Sequence, residues 1–266
     1  MRPRPKKRIQ VPQELVQFTI QLARGAGRIL LRKLGKLHHI QVKENAGIVT
    51  EADKQAEDYL IKNIFRKYPK SSIITEESGE FQGTGLLTWV LDPLDGTSNY
   101  AHSFPWFCVS IGVYEQGAGK IGVVYHPSMN ELFCGVEGAG ATLNGKKIKV
   151  SHTRSIHEAL LGTGFYYAKG ERLREEMEIF RKMNEVALGV RRPGAAALDL
   201  AYVSCGRYDG FWERGLSPWD VAAGTILVKE AGGRVTDFKG KPTNIFSKEI
   251  LASNDHLHTQ LVKLSQ

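Results

Sequence analysis

Between residues 106 and 137 the chain reads WFCVSIGVYE, KIGVVYHP and ELFCGVE, three apolar runs separated by turn residues. Runs of this length, rich in Val, Ile, Phe and Tyr, read as strands joined in an antiparallel meander. Asn144-Gly145, between two more short runs, is a strong hairpin signal, because both residues tolerate the positive φ of a tight two-residue turn. A sheet buries its apolar face against another layer, and helical periodicity elsewhere supplies candidates. Leu15, Phe18, Ile20, Leu22, Ala26, Ile29, Leu30 and Leu34 recur at helical spacing from Pro12 to about Leu34, and Gly35 closes the run. A second helix is expected from near Ala52 to about Tyr68, with Pro69 beyond its end. The polar stretch KENAGIVT (43–50) between them reads as a loop or loose hairpin. Strands are expected over 71–75 and 86–92, and near 207–212, 234–237 and 249–252. Helices are expected over 171–187, 195–206, 221–233 and near 255–264. Helices and sheets alternate in layers, and the two halves are expected to share one site.

Composition narrows the class. The chain has 266 residues, 42% hydrophobic and 24% charged, enough for one large layered domain or two small ones. No apolar run approaches the ~18 residues of a membrane span, and no apolar h-region follows MRPRPKKRIQ, so no membrane and no secretory signal are expected. Cys108, Cys134 and Cys205 are odd in number and lack metal-ligand spacing, which suits packing residues in a reducing, cytoplasmic setting. The net charge is +8, and Arg2, Arg4, Lys6, Lys7 and Arg8 place five of those charges in a basic tail over 1–11. No aromatic residues interleave the tail as a stacking platform requires, so a solvated tail is the better reading than a polyanion site. A basic balance also suits an enzyme that draws in phosphate esters.

The chemistry concentrates in WVLDPLDGTSNY (89–100). Asp92 is read as the end of a strand, Pro93 as a stiff turn, and Asp95 as the start of a new segment in which Gly96 and Thr97 expose backbone N–H groups. Two carboxylates held this close repel unless a cation separates them. Hard divalent ions such as Mg²⁺ take oxygen ligands, with phosphate and water completing the shell, and a helix N-terminus beside them favours phosphate. The plainer reading makes Asp95 an N-cap and Asp92 an Asx turn, and this segment alone leaves the two even. Glu76-Glu77 at the end of SSIIT, Asp220 before the helix at 221, and Asp53 in VTEAD add acids at element termini. Each has its own plain reading, as a charged strand end, an N-cap or a helix cap. Spacing alone leaves their convergence open.

WVLDPLDGTSN, ITEESGE, VTEAD and PWDVAAGTILVKEAGG resemble the four signature segments of the inositol monophosphatase family of Mg²⁺-dependent, lithium-sensitive phosphatases. The likeness covers about residues 12 to 264. NELF (130–133), RRPGAAALDLAYVSCGRYDGF (191–211) and GLSPWD (215–220) resemble its bacterial SuhB-type members in particular. The resemblance implies the layered α-β-α-β-α sandwich of the sugar phosphatases, with a phosphatase domain over 12–266, usually a homodimer. It implies two to three Mg²⁺ ions, with Li⁺ as inhibitor. Glu76, Asp92 and the Leu94 carbonyl hold the first ion; Asp92, Asp95 and Asp220 hold the second; Glu76 serves a weaker third. Gly96 and Thr97 bind phosphate, with Asp95 and Asp220 alongside. Thr97 and Asp53 orient the attacking water, with Glu76 in the catalytic set. Arg191, Gly194, Ala195 and Glu213 match contacts to sugar or cyclitol hydroxyls. Gly47 stands where the family often has an acid, with Lys43 ten residues before Asp53.

The expected reaction is Mg²⁺-dependent hydrolysis of a small polyol or sugar phosphate, inositol 1-phosphate first. Fructose 1,6-bisphosphate and a nucleotide 3′-phosphate are the alternatives. No Ser-His-Asp or cysteine nucleophile is visible, and the eight histidines lack metal spacing. SuhB-type relatives are also linked to transcription and ribosomal RNA processing, which implies transcription-machinery or RNA partners as a different class of role. Arg192 is expected near a dimer surface.

Overall fold

The computed structural model describes residues 11–36, 40–42, 48–165 and 170–266. Residues 1–10 of the basic tail, His38, His39, Lys43 and Gly47 lie outside the described residues.

Two helices open the chain, α1 (Gln13–Lys33) and α2 (Glu51–Lys67), and a short antiparallel pair, β1 (Ile40–Val42) and β2 (Ile48–Thr50), lies between them. The next elements are β3 (Ser72–Thr75), β4 (Gly79–Phe81), β5 (Leu87–Asp95) and the one-turn helix α3 (Thr97–Ala101). The meander follows as β6 (Cys108–Glu115), β7 (Ala118–His126), β8 (Glu131–Val136), β9 (Gly140–Leu143) and β10 (Lys146–Ile148). The second half contains β11 (Leu160–Thr163), α4 (Glu171–Val186), β12 (Gly189–Arg191), α5 (Ala196–Ser204), β13 (Gly210–Arg214) and α6 (Pro218–Glu230). It ends in β14 (Arg234–Thr236), β15 (Glu249–Ser253) and α7 (His258–Leu264).

The expected meander is present: β5 to β10 pair antiparallel in order within an eight-stranded sheet, β10-β9-β8-β7-β6-β5-β3-β4. Asn144 and Gly145 form the β9–β10 turn, both at positive φ, with Leu143 facing Lys146. A five-stranded sheet, β12-β11-β13-β15-β14, carries the second half. Its parallel members β11, β12 and β13 were not foreseen apart from a strand near 207–212, which lies instead at Gly210–Arg214. Short strands such as GVR and LLGT give no alternation to read.

Five layers result. α1 and α2 cover the outer face of the large sheet, where Leu22, Leu30, Leu60 and Ile64 meet Trp89, Ile111 and Val123. α5 and α6 lie between the sheets. Ala197, Leu198, Ala223 and Leu227 face the large sheet, while Leu200, Val203, Val221 and Val228 face the small one. Both helices are apolar around most of their circumference, as helices buried on two faces are. α4 and α7 close the far side through Ile179, Met183 and Leu261. No helix among the described residues is long and apolar enough to cross a membrane.

Two expectations about the acidic segments are corrected. The strand does not end at Asp92: β5 continues through Pro93 and Leu94 to Asp95. Asp92 pairs with Ser110 and Asp95 with Cys108, three steps on one strand against two on the other, so one extra residue bulges out. Residues three apart normally face opposite sides of a strand; the bulge turns both aspartates to the same side. Asp220, for its part, does not precede α6 but sits in its first turn, where Ser217 is the N-cap and Pro218 opens the helix.

Candidate active site

A cavity of about 310 Å³ opens where the C-terminal end of β5, the turn after β3 and the N-termini of α3 and α6 meet. Glu76, Asp92, Leu94, Asp95, Gly96, Thr97 and Asp220 line it, together with Arg192, Gly194 and Glu213 from the second half. Segments more than a hundred residues apart in sequence thus share one pocket. Each aspartate is anchored by its own local structure. Asp92 accepts the Leu94 N–H at 3.0 Å, the Asx turn foreseen as its plain reading. Asp95 does not cap α3, whose N-cap is Gly96; it accepts the Ala197 N–H at 2.7 Å and so caps α5. Asp220 accepts the Ser217 N–H at 2.7 Å in a capping box. Gly96 has φ of +89°, and a side chain there would meet the Trp106 carbonyl at 2.8 Å, so glycine is the residue this corner tolerates.

Asp53 belongs to a capping box as well: its Oδ2 takes the Thr50 N–H at 2.9 Å and the Thr50 hydroxyl at 2.5 Å. Its Oδ1 accepts the Thr97 hydroxyl at 3.1 Å, and that hydroxyl lies 3.0 Å from the Leu94 carbonyl. One carboxylate thus caps α2 and holds the Thr97 hydroxyl at the pocket. Burial, partly offset by the Thr50 bonds, raises its pKa to about 6. Around the pocket the acids push one another up. Asp92 is raised by burial first and then by Glu76, Asp95 and Asp220; Asp220 by burial and Asp95; Glu213 by burial, Asp220 and Asp95. Burial raises Asp95 too, against the Ala197 hydrogen bond.

The far end of the pocket belongs to the second half. Arg192 lies over the Phe165 ring at 5.7 Å, so it lines the pocket as well as standing beside Arg191. Arg191 is exposed at the end of β12, with a guanidinium N–H on the Val190 carbonyl, and does not line the pocket. Ala195 is buried behind it as the N-cap residue of α5. Gly164 leaves room for the Glu213 carboxylate, which a side chain there would strike at 2.1 Å. Asn99 ties the two halves together through the Trp106 and Pro193 carbonyls, both at 2.8 Å. Of the described histidines, His126 and His258 are buried and the others exposed, and none lines this pocket.

Sequence reasoning missed two residues of consequence. Glu57, buried on α2, accepts the Thr75 hydroxyl at 2.6 Å and the Glu77 and Ser78 N–H groups, and so fixes the turn that carries Glu76. An acid one residue past Ala56 on the helix's buried face was the available signal. Asp199 is fully buried in α5, with neither oxygen hydrogen-bonded, and burial together with Glu213 and Asp95 raises it. An acid inside the apolar run AAALDLAYV could have flagged it.

A cluster of mutually repelling, desolvated carboxylates is a poor apolar core and a good donor set for a hard divalent cation. Among the described residues no group of three or more His, Cys, Asp or Glu side chains is a ready-made metal cage. The set suits an ion that keeps water and substrate oxygens in its shell.

Comparison with known proteins gives the class to which this layered α-β-α-β-α fold and its acid-lined pocket belong, that of a phosphatase. The sequence model of the Inositol monophosphatase family matches residues 11–266, and the chain belongs to that family. It is 43% identical to an inositol-1-monophosphatase of Synechocystis over 94% of this chain and 88% of the relative. It is 41% identical to the Nus factor SuhB of Escherichia coli K12, over 90% of this chain and 91% of that one. The extragenic suppressor protein suhB of Bartonella henselae superposes with a TM-score of 0.91 at 37% identity, covering 96% of this chain and 99% of that one. The Thermotoga maritima IMPase does so with 0.88 at 37%, covering 95% and 97%.

Proposed function

We propose that this phosphatase hydrolyses inositol 1-phosphate, or a polyol phosphate of similar size, with two to three Mg²⁺ ions bound by Glu76, Asp92, Asp95, Asp220 and the Leu94 carbonyl. The observation that carries the reading is the convergence of those groups with Gly96 and Thr97 in one pocket. Ions in such a site lower the pKa of bound water and neutralise charge on the phosphoryl group. The chain's own groups do the rest. Gly96 and Thr97 present N–H donors to the phosphate. Asp53, through Thr97, orients the attacking water and takes its proton. Arg192, Gly194 and Glu213 face the alcohol end of the ester, and Glu213 and Arg192 suit its hydroxyls. This assignment moves the substrate arginine from Arg191 to Arg192. Li⁺ competes at the Asp92–Asp95–Asp220 position, and the working form is a homodimer.

Phosphate release is the test. The four esters to compare are inositol 1-phosphate, fructose 1,6-bisphosphate, 3′-phosphoadenosine 5′-phosphate and histidinol phosphate, each with and without Mg²⁺. The expected result is Mg²⁺-dependent turnover with the highest kcat/KM for inositol 1-phosphate, lost in Asp220→Asn and inhibited by Li⁺. Full turnover in chelator, or in Asp220→Asn, would sink it. Several relatives carry the name Nus factor SuhB, which supports a second, non-catalytic role with transcription machinery. Pull-down with the inactive Asp92→Asn protein tests this; absence of transcription proteins from the capture removes that role.

A further inference from the structure

The acid pocket is not the roomiest cavity in the molecule. One of about 580 Å³ lies further along the same face of β5, between the large sheet and the C-terminal half of α6. Its walls are largely apolar: Ile74, Val90, Tyr114, Ile226, Ile245 and Phe246, the last 59% exposed. The proposed mechanism uses none of these residues. The charged groups at the cavity are not equivalent. Glu137 is engaged by Lys120 at 2.7 Å, and Glu230 accepts the Gly140 N–H at 3.0 Å. The ammonium of Lys229, an exposed residue lining the cavity, has no hydrogen bond or ion pair among the described residues. An apolar slot with one uncommitted cation complements an apolar body bearing one negative charge.

The cavity also shares its walls with the active site. Ile74 stands two residues before Glu76, and Val90 stands two before Asp92 on the same face of β5. Ile226 lies about 9 Å along α6 from Asp220, at 1.5 Å per residue. Three of the four acids are thus carried by elements that line both cavities. A ligand wedged between sheet and helix bears on the spacing of Asp220 from Asp92, on which cation binding depends.

We propose that this cavity is a second ligand site, for a small amphipathic organic anion with a carboxylate or sulfonate head on Lys229, coupled to the acid pocket through α6. Anilinonaphthalenesulfonate, an aromatic sulfonate whose emission rises in apolar surroundings, is the probe, titrated into the full-length protein with and without saturating Mg²⁺. The expected result is one site, weakened about tenfold or more in Lys229→Glu, a loss of about 1.4 kcal/mol, and abolished in Thr88→Trp, which fills the slot. Lys62→Glu, on α2 across the large sheet from the cavity, binds as wild type. Mg²⁺ changes the probe's Kd by about fivefold or more, because coupling between two sites is reciprocal. Unaltered probe binding in both Lys229→Glu and Thr88→Trp overturns the site, and a Kd indifferent to Mg²⁺ overturns the coupling. Conversion of dimer to monomer by Phe246→Glu, with no probe bound to wild type, would make the cavity a subunit interface and likewise overturn the proposal. The binding readout needs no turnover, so a failed substrate assignment and a failed second site give different results.

Discussion

Asp92, Asp95 and Asp220 each spend one oxygen on the backbone, at Leu94, Ala197 and Ser217 respectively, and turn the rest of the carboxylate to the pocket. Capping and ligation are therefore not rival readings of these residues, because a carboxylate has lone pairs enough for both. The cost is mutual repulsion in a desolvated place. Asp92→Asn keeps an acceptor for the Leu94 N–H and removes one charge, so the two properties should part company. The melting temperature in chelator at pH 8 should rise by several degrees, while kcat/KM with Mg²⁺ falls roughly 10³-fold, about 4 kcal/mol of lost transition-state stabilisation. Thermal unfolding and phosphate release on the same preparation check both halves. Asp53 gives a second prediction. Its pKa of about 6 means the ionised form needed for proton abstraction is gained as pH rises through that value. The acid limb of kcat/KM should therefore fall near pH 6, and Asp53→Asn should flatten it while lowering the plateau by about 10²–10⁴. A limb unchanged in that variant would remove Asp53 from the role.

At the scale of elements, the bulge in β5 is the device that makes the site. Without it Asp95 would face away from Asp92 and could neither cap α5 nor share a pocket with Asp220. Deleting Pro93 leaves Asp92 and Asp95 two apart on one face of a regular strand, but it shortens their span by one residue and turns the Leu94 carbonyl into the ladder between them. It should cost activity at least about 10²-fold, as misplaced catalytic groups do. The protein should stay folded, with α5 weakened by about 1 kcal/mol for its lost cap. Circular dichroism and phosphate release separate those outcomes. The same element shows what the sequence could and could not tell. The meander, the Asn144-Gly145 turn and the long helices were legible because periodicity and turn residues are local signals. Pro93 pointed to a turn, since proline seldom continues a central strand, and the bulge that accommodates it is set by pairing with Ser110 and Cys108, far along the chain. Asp95's true partner, the N-terminus of α5, is 102 residues away and no local rule reaches it. Glu57 and Asp199 were missed for the opposite reason: each sits inside a helical pattern that already looked complete.

The whole molecule is two half-structures whose layers meet at the acid pocket, so its stability should report on the charge there. Asp53 is raised to about 6 and Asp95 to about 7, and Asp92, Asp220, Asp199 and Glu213 are also raised, burial being the first cause in each. Unfolded carboxyls titrate near pH ~4. Above that value the folded chain holds protons that the unfolded chain has released, so stability falls as pH rises through the folded values. The window therefore opens at about pH 4 and extends through about 7. Glu131, lowered by its Arg207 ion pair, acts in the other direction but only toward more acid pH. Buried His126 and His258, both lowered to about 4 by desolvation, oppose this up to the free histidine value of ~6.5. In chelator the melting temperature should accordingly fall between about pH 6.5 and 8. A divalent cation that binds the ionised acids reverses the effect, since a ligand selective for the folded state adds about 2.7 kcal/mol at a hundred times its Kd. Mg²⁺ should raise the melting temperature more at pH 8 than at pH 5, and Asp92→Asn should blunt both the slope and the rescue. Differential scanning calorimetry across that range, with and without Mg²⁺, decides it. A melting temperature that climbs with pH above about 6.5 in chelator would mean the pocket acids are not held protonated by burial and one another.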